Sequence, residues 1–127
     1  MFGVKLAEQP AIFLRIAESA AEIEAAWAVL ARDCRTAEAM TEAGEIPTLL
    51  QRTGWRRNNA YAVVLSMRAT DRLYGLAGMR GMQPSSHVQR CWRDVHAAAS
   101  QVAINWDTQA INYGRARFGL PFHDPRA

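Results

Sequence analysis

From Ala11 to about Ala43 the apolar residues Phe13, Ile16, Ala20, Ile23, Trp27, Leu30, Cys34 and Ala37 recur at alternating steps of three and four. Arg15, Glu18, Glu22, Arg32 and Arg35 fall elsewhere around the same turns, so the spacing predicts an amphipathic helix with a bundle-type seam. Pro10 suits its first turn and Gly44 its end. A second helix is expected to open at Pro47, whose missing N–H costs nothing there. Its stripe of Ala62, Leu65, Ala69, Leu73 and Leu76 carries it to about Ala77. Gly54 and the pair Asn58-Asn59 weaken its first half, which predicts fraying or a kink near Gly54.

Gly75, Gly78, Gly81 and Pro84 break any continuing helix and make Gly78 to Ser85 a loop. A third helix restarts with Ser86 as N-cap and Gln89 three places on, the spacing of a capping box. Its expected buried stripe is Val88, Trp92, Val95, Ala99, Val102, Trp106, Ala110 and Tyr113, with Gly114 bending or ending it. After Gly119 two prolines and little periodicity predict an extended tail. Three helices of roughly 30 residues are about 45 Å long, the proportions of an up-down bundle. The expected fold is therefore all-α, a single up-down helical bundle of three long helices over residues 1–127, with Phe13, Trp27 and Trp55 only partly covered by the chain's own core.

Composition changes this picture little. Half the residues are hydrophobic and 21% are charged, ordinary for a folded globular chain. Charged residues interrupt every hydrophobic run, so no membrane span is expected, and Met1 to Pro10 lacks the pattern of a secretory leader. A cytoplasmic location follows as the expectation. Cys34 and Cys91 sit far apart within helical patterns, which predicts reduced, partly buried thiols and neither a disulfide framework nor a metal site. The net charge of +3 is mild, and Lys5 is the single lysine against fourteen arginines. Basic residues are dispersed among acids, which disfavours nucleic acid as a partner.

Candidate chemistry concentrates on the third helix. If it is continuous, Arg93, His96, Ser100 and Asp107 share one surface, and Asp94, Gln101 and Asn105 another. His96 is the natural proton carrier, because imidazole is the side chain that ordinarily titrates near neutrality. The loop before it, leading into a helix N-terminus, is a candidate anion or cofactor contact. There Ser85 and Ser86 sit beside free backbone N–H groups, and Arg80 and Arg90 offer charge-assisted hydrogen bonds. An ordinary helix-capping turn explains the same residues. Arg56-Arg57 and Asp71-Arg72 read as solvated or inter-helix ion pairs. Metal, acyl-serine and calcium spacings are lacking.

The order Arg90-Cys-Trp-Arg-Asp-Val-His96-Ala-Ala-Ala-Ser100-Gln-Val-Ala-Ile-Asn-Trp-Asp107, followed by Tyr113-Gly-Arg-Ala-Arg-Phe-Gly-Leu-Pro121, is too particular for generic helix. It resembles the last long helix of flavin-dependent monooxygenases built on the acyl-CoA dehydrogenase fold. Ala17-Glu-Ser-Ala-Ala-Glu-Ile-Glu-Ala25 and Ala69-Thr-Asp-Arg-Leu73 extend the likeness across nearly the whole chain. The resemblance implies the C-terminal helical domain of an oxygenase component, with an N-terminal helical domain and a middle β-domain that have no counterpart here. In that family a reduced flavin, FMN or FAD, supplied by a separate reductase, activates dioxygen for transfer to a phenol, a sulfur heterocycle or an amine.

It also implies self-association as a dimer or tetramer, and flavin that this chain alone would not hold. A histidine on this helix faces flavin and substrate in many relatives, and counted from the Trp-Arg-Asp element its match here is Gln101. Glutamine exchanges hydrogen bonds but takes up no proton, which leaves His96 as the candidate base. The competing expectation is a noncatalytic helical oligomerisation module, or a truncated acyl-CoA dehydrogenase-like protein.

Overall fold

The computed structural model describes residues 8–123. The opening segment through Ala7 and the last four residues of the tail, about which the sequence made expectations, lie outside the described residues. Among the described residues there are four α-helices and no strand: α1 (Pro10–Glu42), α2 (Leu49–Gly81), α3 (His87–Ala99) and α4 (Trp106–Arg117), with a 3₁₀ turn at Val102–Ile104. The all-α bundle expected from periodicity is the fold observed, with its third rod broken in two.

The ends of α1 follow local rules. Pro10 occupies its first turn. At the other end Gly44, at φ 71°, lets its own N–H reach the Thr41 carbonyl and the Glu45 N–H reach Met40. That paired closure satisfies two carbonyls the helix would otherwise strand. The start of α2 differs from expectation. Thr48, not Pro47, is the cap: its hydroxyl accepts from the Gln51 N–H while the Gln51 side chain accepts from the Thr48 N–H, a full capping box. Nor is there a kink at Gly54. The one non-helical residue inside α2 is Gly78 (φ 56°, ψ −146°), where the glycine cluster was expected to end the helix. Gly54 instead packs beside Tyr113 of α4, whose ring carbon lies 3.8 Å from where a Cβ would stand, an ordinary contact distance.

α2 is the common partner of all the other elements. Its contacts with α1 run antiparallel, with Arg72 meeting Ser19 and Glu22, and Asn58 meeting Asp33. The chain's buried apolar core is small, Ala26, Ala60, Ala62 and Ala69, of which Ala26 lies on the α2-facing side of α1 beside Ser19, and Ala62 and Ala69 on the α1-facing side of α2. Small side chains let the two backbones approach, but they remove little apolar area from water.

The largest departure from the sequence reading is the rotation of α1. The face turned to α2 carries Ser19, Glu22, Ala26 and Asp33. It lies one residue, about 100° of helix, from the apolar seam Ala20, Ile23, Trp27 and Cys34. Trp27 is consequently 74% exposed and Phe13 53%, with Leu14, Ile16 and Ile23 also on the outside. Partial exposure of Phe13 and Trp27 was expected; an outward-facing seam was not. Polar groups decided it. Ser19 and Glu22 find Arg72, and Asp33 finds Asn58, so this face buries polar atoms with partners. Cys34 and Cys91 are free, as expected, but both are exposed, not partly buried.

The third rod breaks at Ser100. Its hydroxyl donates to the Ala97 carbonyl at 2.7 Å, and five residues later the Asn105 side chain accepts from the Thr108 N–H to start α4. Two short polar side chains that compete with the backbone thus stop one helix and begin another. The path still follows α2 in one register. His96 meets Asp71, Trp106 meets Tyr61, and Tyr113 meets Gly54 and Arg57. Gly114 neither bends nor ends α4, which closes at Gly119 (φ 71°). The visible tail is then held by Asn112, whose amide bonds both the N–H and the carbonyl of His123, and by Arg115 Nε on the Pro121 carbonyl.

Candidate functional site

Asp71 and Arg72 are neighbours on α2, and the helical turn between them sends their side chains to different helices. Arg72 faces α1, where its guanidinium reaches Glu22 at 2.9 Å, Glu18 at 3.3 Å and the Ser19 hydroxyl at 3.0 Å. The hydrogen bond to Glu22 holds its pKa above the ordinary arginine value, against a smaller opposing effect of burial. Asp71 faces α3. Its Oδ1 accepts the Trp92 indole N–H at 2.8 Å and lies 2.7 Å from His96 Nε2. The sequence reading of an inter-helix ion pair is right for Arg72, while Asp71 reaches another helix through hydrogen bonds, and the two do not pair with each other.

Around Asp71 the aromatic rings form a stack. Tyr74 lies over Trp92 with centroids 5.2 Å apart, and Trp92 leans on His96 at 4.5 Å. Two contacts on one carboxylate oxygen fix the imidazole. A carboxylate only accepts, so Nε2 carries a proton in this contact and Nδ1 is the ring nitrogen turned away from Asp71. The side chains of His96 and Asp71 are 32% and 51% exposed, so the cluster forms one open wall and not a closed cavity. Asp71, Trp92 and Tyr74 were not singled out from sequence as site residues. The available signal was the Asp-Arg dipeptide in the Ala69–Leu73 segment, whose pairing across helices is a tertiary fact.

The other expected site residues are spread out. Gln101 lies beyond α3, exposed, in the break before the 3₁₀ turn; its backbone N–H bonds Ala98 and its carbonyl accepts from Ile104. The break separates it from the helical face of His96. It also dissolves the two long polar surfaces, because Asn105 and Asp107 belong to the start of α4, Asn105 as its cap. Arg80 and Ser85 are exposed around the Gly78 turn. The Ser86 hydroxyl caps α3 by accepting from Gln89 N–H at 3.4 Å, while Gln89 Nε2 turns back to the Met82 carbonyl, so the capping box is half formed. Arg90 stands 3.8 Å from Asp94 on the exposed face of α3. Toward a cofactor such as a flavin, the exposed Arg80 and Ser85 are open to contact, whereas Ser86 and Arg90 are engaged within α3.

Residues 1–106 match the family described as "Acyl-CoA dehydrogenase, C-terminal domain". The chain belongs to that family. Among relatives of this acyl-CoA dehydrogenase C-terminal domain chain, the oxygenase component of an FADH(2)-dependent resorcinol hydroxylase from Rhizobium sp. (strain MTP-10005) is 36% identical over 120 residues. The match takes in 91% of this chain and 29% of that protein. The oxygenase subunit HsaA of a flavin-dependent monooxygenase from Rhodococcus jostii (strain RHA1) is 31% identical, over 96% of this chain and 32% of its own length.

Among solved structures, the HsaA monooxygenase from M. tuberculosis superposes with a TM-score of 0.82 at 32% identity, covering 90% of this chain and 30% of that one. XiaF from Streptomyces sp., solved with FADH2 and glycerol, superposes at 0.91 with 23% identity, a likeness of fold alone, over 98% of this chain and 32% of that one. The chain thus spans about a third of the length of the relatives it matches. Among the described residues no helix is long and apolar enough to cross a membrane, and no group of three or more His, Cys, Asp or Glu could hold a metal.

Proposed function

We propose that this chain is the C-terminal helical domain of the oxygenase component of a two-component flavin-dependent monooxygenase, acting on an aromatic or amine substrate with reduced flavin and dioxygen. In this reading the domain comprises residues 1–127 and supplies one wall of the flavin and substrate pocket. The observation that carries it is the open Tyr74–Trp92–His96–Asp71 cluster on a chain a third the length of its oxygenase relatives. His96 is the catalytic residue of the proposal, taking a substrate proton at Nδ1, and Asp71 is the positioning residue behind it. Gln101 offers a hydrogen bond at the edge of the same pocket. Arg80 and Ser85 form the flavin-facing rim, bordered by Ser86 and Arg90, whose contacts within α3 would have to open for them to join it. The flavin, when bound, supplies the activation of dioxygen; FMN and FAD both suit a rim made of guanidinium and hydroxyl groups. The remaining walls come from an N-terminal and β-domain portion, and a flavin reductase provides the reduced cofactor. The cytoplasm is the compartment in which these partners would meet.

The outward stripe of Phe13, Leu14, Ile16, Ile23 and Trp27 supports self-association, since an apolar stripe of this extent marks an interaction surface. The same stripe favours a second reading, a noncatalytic oligomerisation module or a truncated acyl-CoA dehydrogenase-like protein. Titration with reduced flavin separates the two. The chain alone is expected to bind more weakly than micromolar. Binding is expected to tighten when an N-terminal and β-domain portion of an oxygenase relative is added. Micromolar or tighter binding by the chain alone would overturn the one-wall reading, and no gain on adding the missing portion would favour the module. For the stripe itself, Ile16→Glu with Trp27→Glu is expected to turn a sedimenting dimer or tetramer into monomer with the helical circular dichroism kept. An unchanged sedimentation coefficient would remove the stripe as the interface.

A further inference from the structure

At the other end of α2, about 20 Å along the helix from Asp71, residues of α1, α2 and α4 line an open surface recess that the proposed flavin site does not use. Its volume is about 330 Å³, and Arg32, Asp33, Gln51, Trp55, Arg57 and Tyr113 are among its lining residues. A chain of hydrogen bonds orders it. The buried Asp33 takes Arg32 Nη2 on Oδ1 at 2.8 Å and Asn58 Nδ2 on Oδ2 at 2.7 Å. That contact fixes the Asn58 amide, whose Oδ1 then accepts Arg57 Nε at 3.1 Å and Nη2 at 2.8 Å. The Arg57 guanidinium is in turn laid over the Tyr113 ring, 3.9 Å from its centroid.

The charges do not balance. Asp33 is matched by Arg32, yet among the described residues no carboxylate forms an ion pair with Arg57, whose partners are a neutral amide and a π face. A half-buried guanidinium with no carboxylate partner can still take an anion through charge-assisted hydrogen bonds. One excess positive charge fits a monoanion better than phosphate. Trp55 and Tyr113, the latter with one ring face under Arg57, also line the recess and add apolar and π surface that an acidic side chain or a bare ion would leave uncovered. Guanidinium beside carboxylate geometry is also the pairing best served by a planar two-oxygen ligand.

We infer that the recess bounded by Arg57, Tyr113 and Trp55 is a binding site for a single-ring aromatic carboxylate. Its carboxylate lies on the free edge of Arg57 and its ring lies against the aromatic wall. The occupant bridges α1 and α4, two helices that otherwise meet mainly through α2.

Isothermal titration of the full chain with benzoate tests the site, with benzamide and inorganic phosphate as parallel arms. Saturable benzoate binding is expected, at least about tenfold tighter than either comparator. Arg57→Gln is expected to weaken benzoate by about tenfold or more. Arg57→Lys should fall between, because it keeps the charge and loses the fork. Arg32→Gln, which leaves Asp33 uncompensated beside the ligand, should also weaken it. If Arg57→Gln proves unfolded by circular dichroism, the lysine and Arg32 variants decide. Benzoate and benzamide binding alike, benzoate unaffected by these variants, or no saturable binding to folded chain each overturns the inference. Phosphate binding more tightly than benzoate also overturns it, in favour of an inorganic anion site.

Discussion

Removing the Asp71 carboxylate tests whether α3 is fastened to α2 as the structure indicates. Asp71 Oδ1 takes the Trp92 indole N–H at 2.8 Å and sits 2.7 Å from His96 Nε2, and in Asp71→Ala both donors lose their partner. A hydrogen bond to a charged acceptor is worth about 1.5–3 kcal/mol when well shielded. Here the Asp71 side chain is 51% exposed, so solvent competes and the discounted value is about 1 kcal/mol for the Trp92 contact. The assay is a double-mutant cycle of Asp71→Ala and Trp92→Phe, read by thermal and urea denaturation of the full chain. Phenylalanine keeps most of the stacking on Tyr74 while deleting the N–H. A coupling of about 1 kcal/mol is expected, and Asp71→Ala alone should lower the melting temperature by about 3–5 °C. Additivity within about 0.3 kcal/mol would refute the contact, since independent sites behave in that way. The proposed orientation of His96 would then lose its physical basis.

Two glycines should respond oppositely to alanine. Gly44→Ala has nothing within 4 Å to meet, but its φ of 71° makes the change cost about 1 kcal/mol through backbone strain alone. Gly75→Ala, also with open space around it and on an ordinary helical backbone, should stabilise the chain by about 0.8 kcal/mol. Urea midpoints at constant slope would show both, and like signs would contradict the assigned conformations. Arg72→Met should lower the melting temperature by unfastening α1 from α2. The pKa of Arg72 is raised in the folded state, so its contribution is complete below the unfolded value and fades only as pH climbs through the raised one, far above neutrality. The loss should therefore be the same at pH 7 and pH 9, and a loss confined to one of them would contradict the assignment.

Much of this architecture is written in local chemistry. Pro10, Gly44 and Ser86 act where their residue types say they should, because caps and left-handed turns depend only on a few neighbouring backbone groups. Gly78 interrupts α2 for the same reason. The order of residues from Arg90 to Asp107 was enough to point to the family. His96 was legible as a candidate base by residue type, and the structure adds its partner, Asp71, twenty-five positions away.

What the sequence could not decide is which way each helix turns. Periodicity locates an apolar stripe but not what covers it, and on α1 the stripe containing Ile23 and Trp27 points away from α2 while Ser19, Glu22 and Asp33 point toward it. Those polar residues gain partners only when Arg72 and Asn58 arrive from another helix, and no window along one segment contains that information. The break at Ser100 has the same origin. The apolar pattern runs on through Val102 and Trp106, but Ser100 and Asn105 capture backbone groups, and the two pieces of the rod keep their alignment because α2 holds both. Helix and turn are determined within a few residues of chain. Rotation, burial and the pairing of Asp71 with His96 are determined by the surface each helix meets.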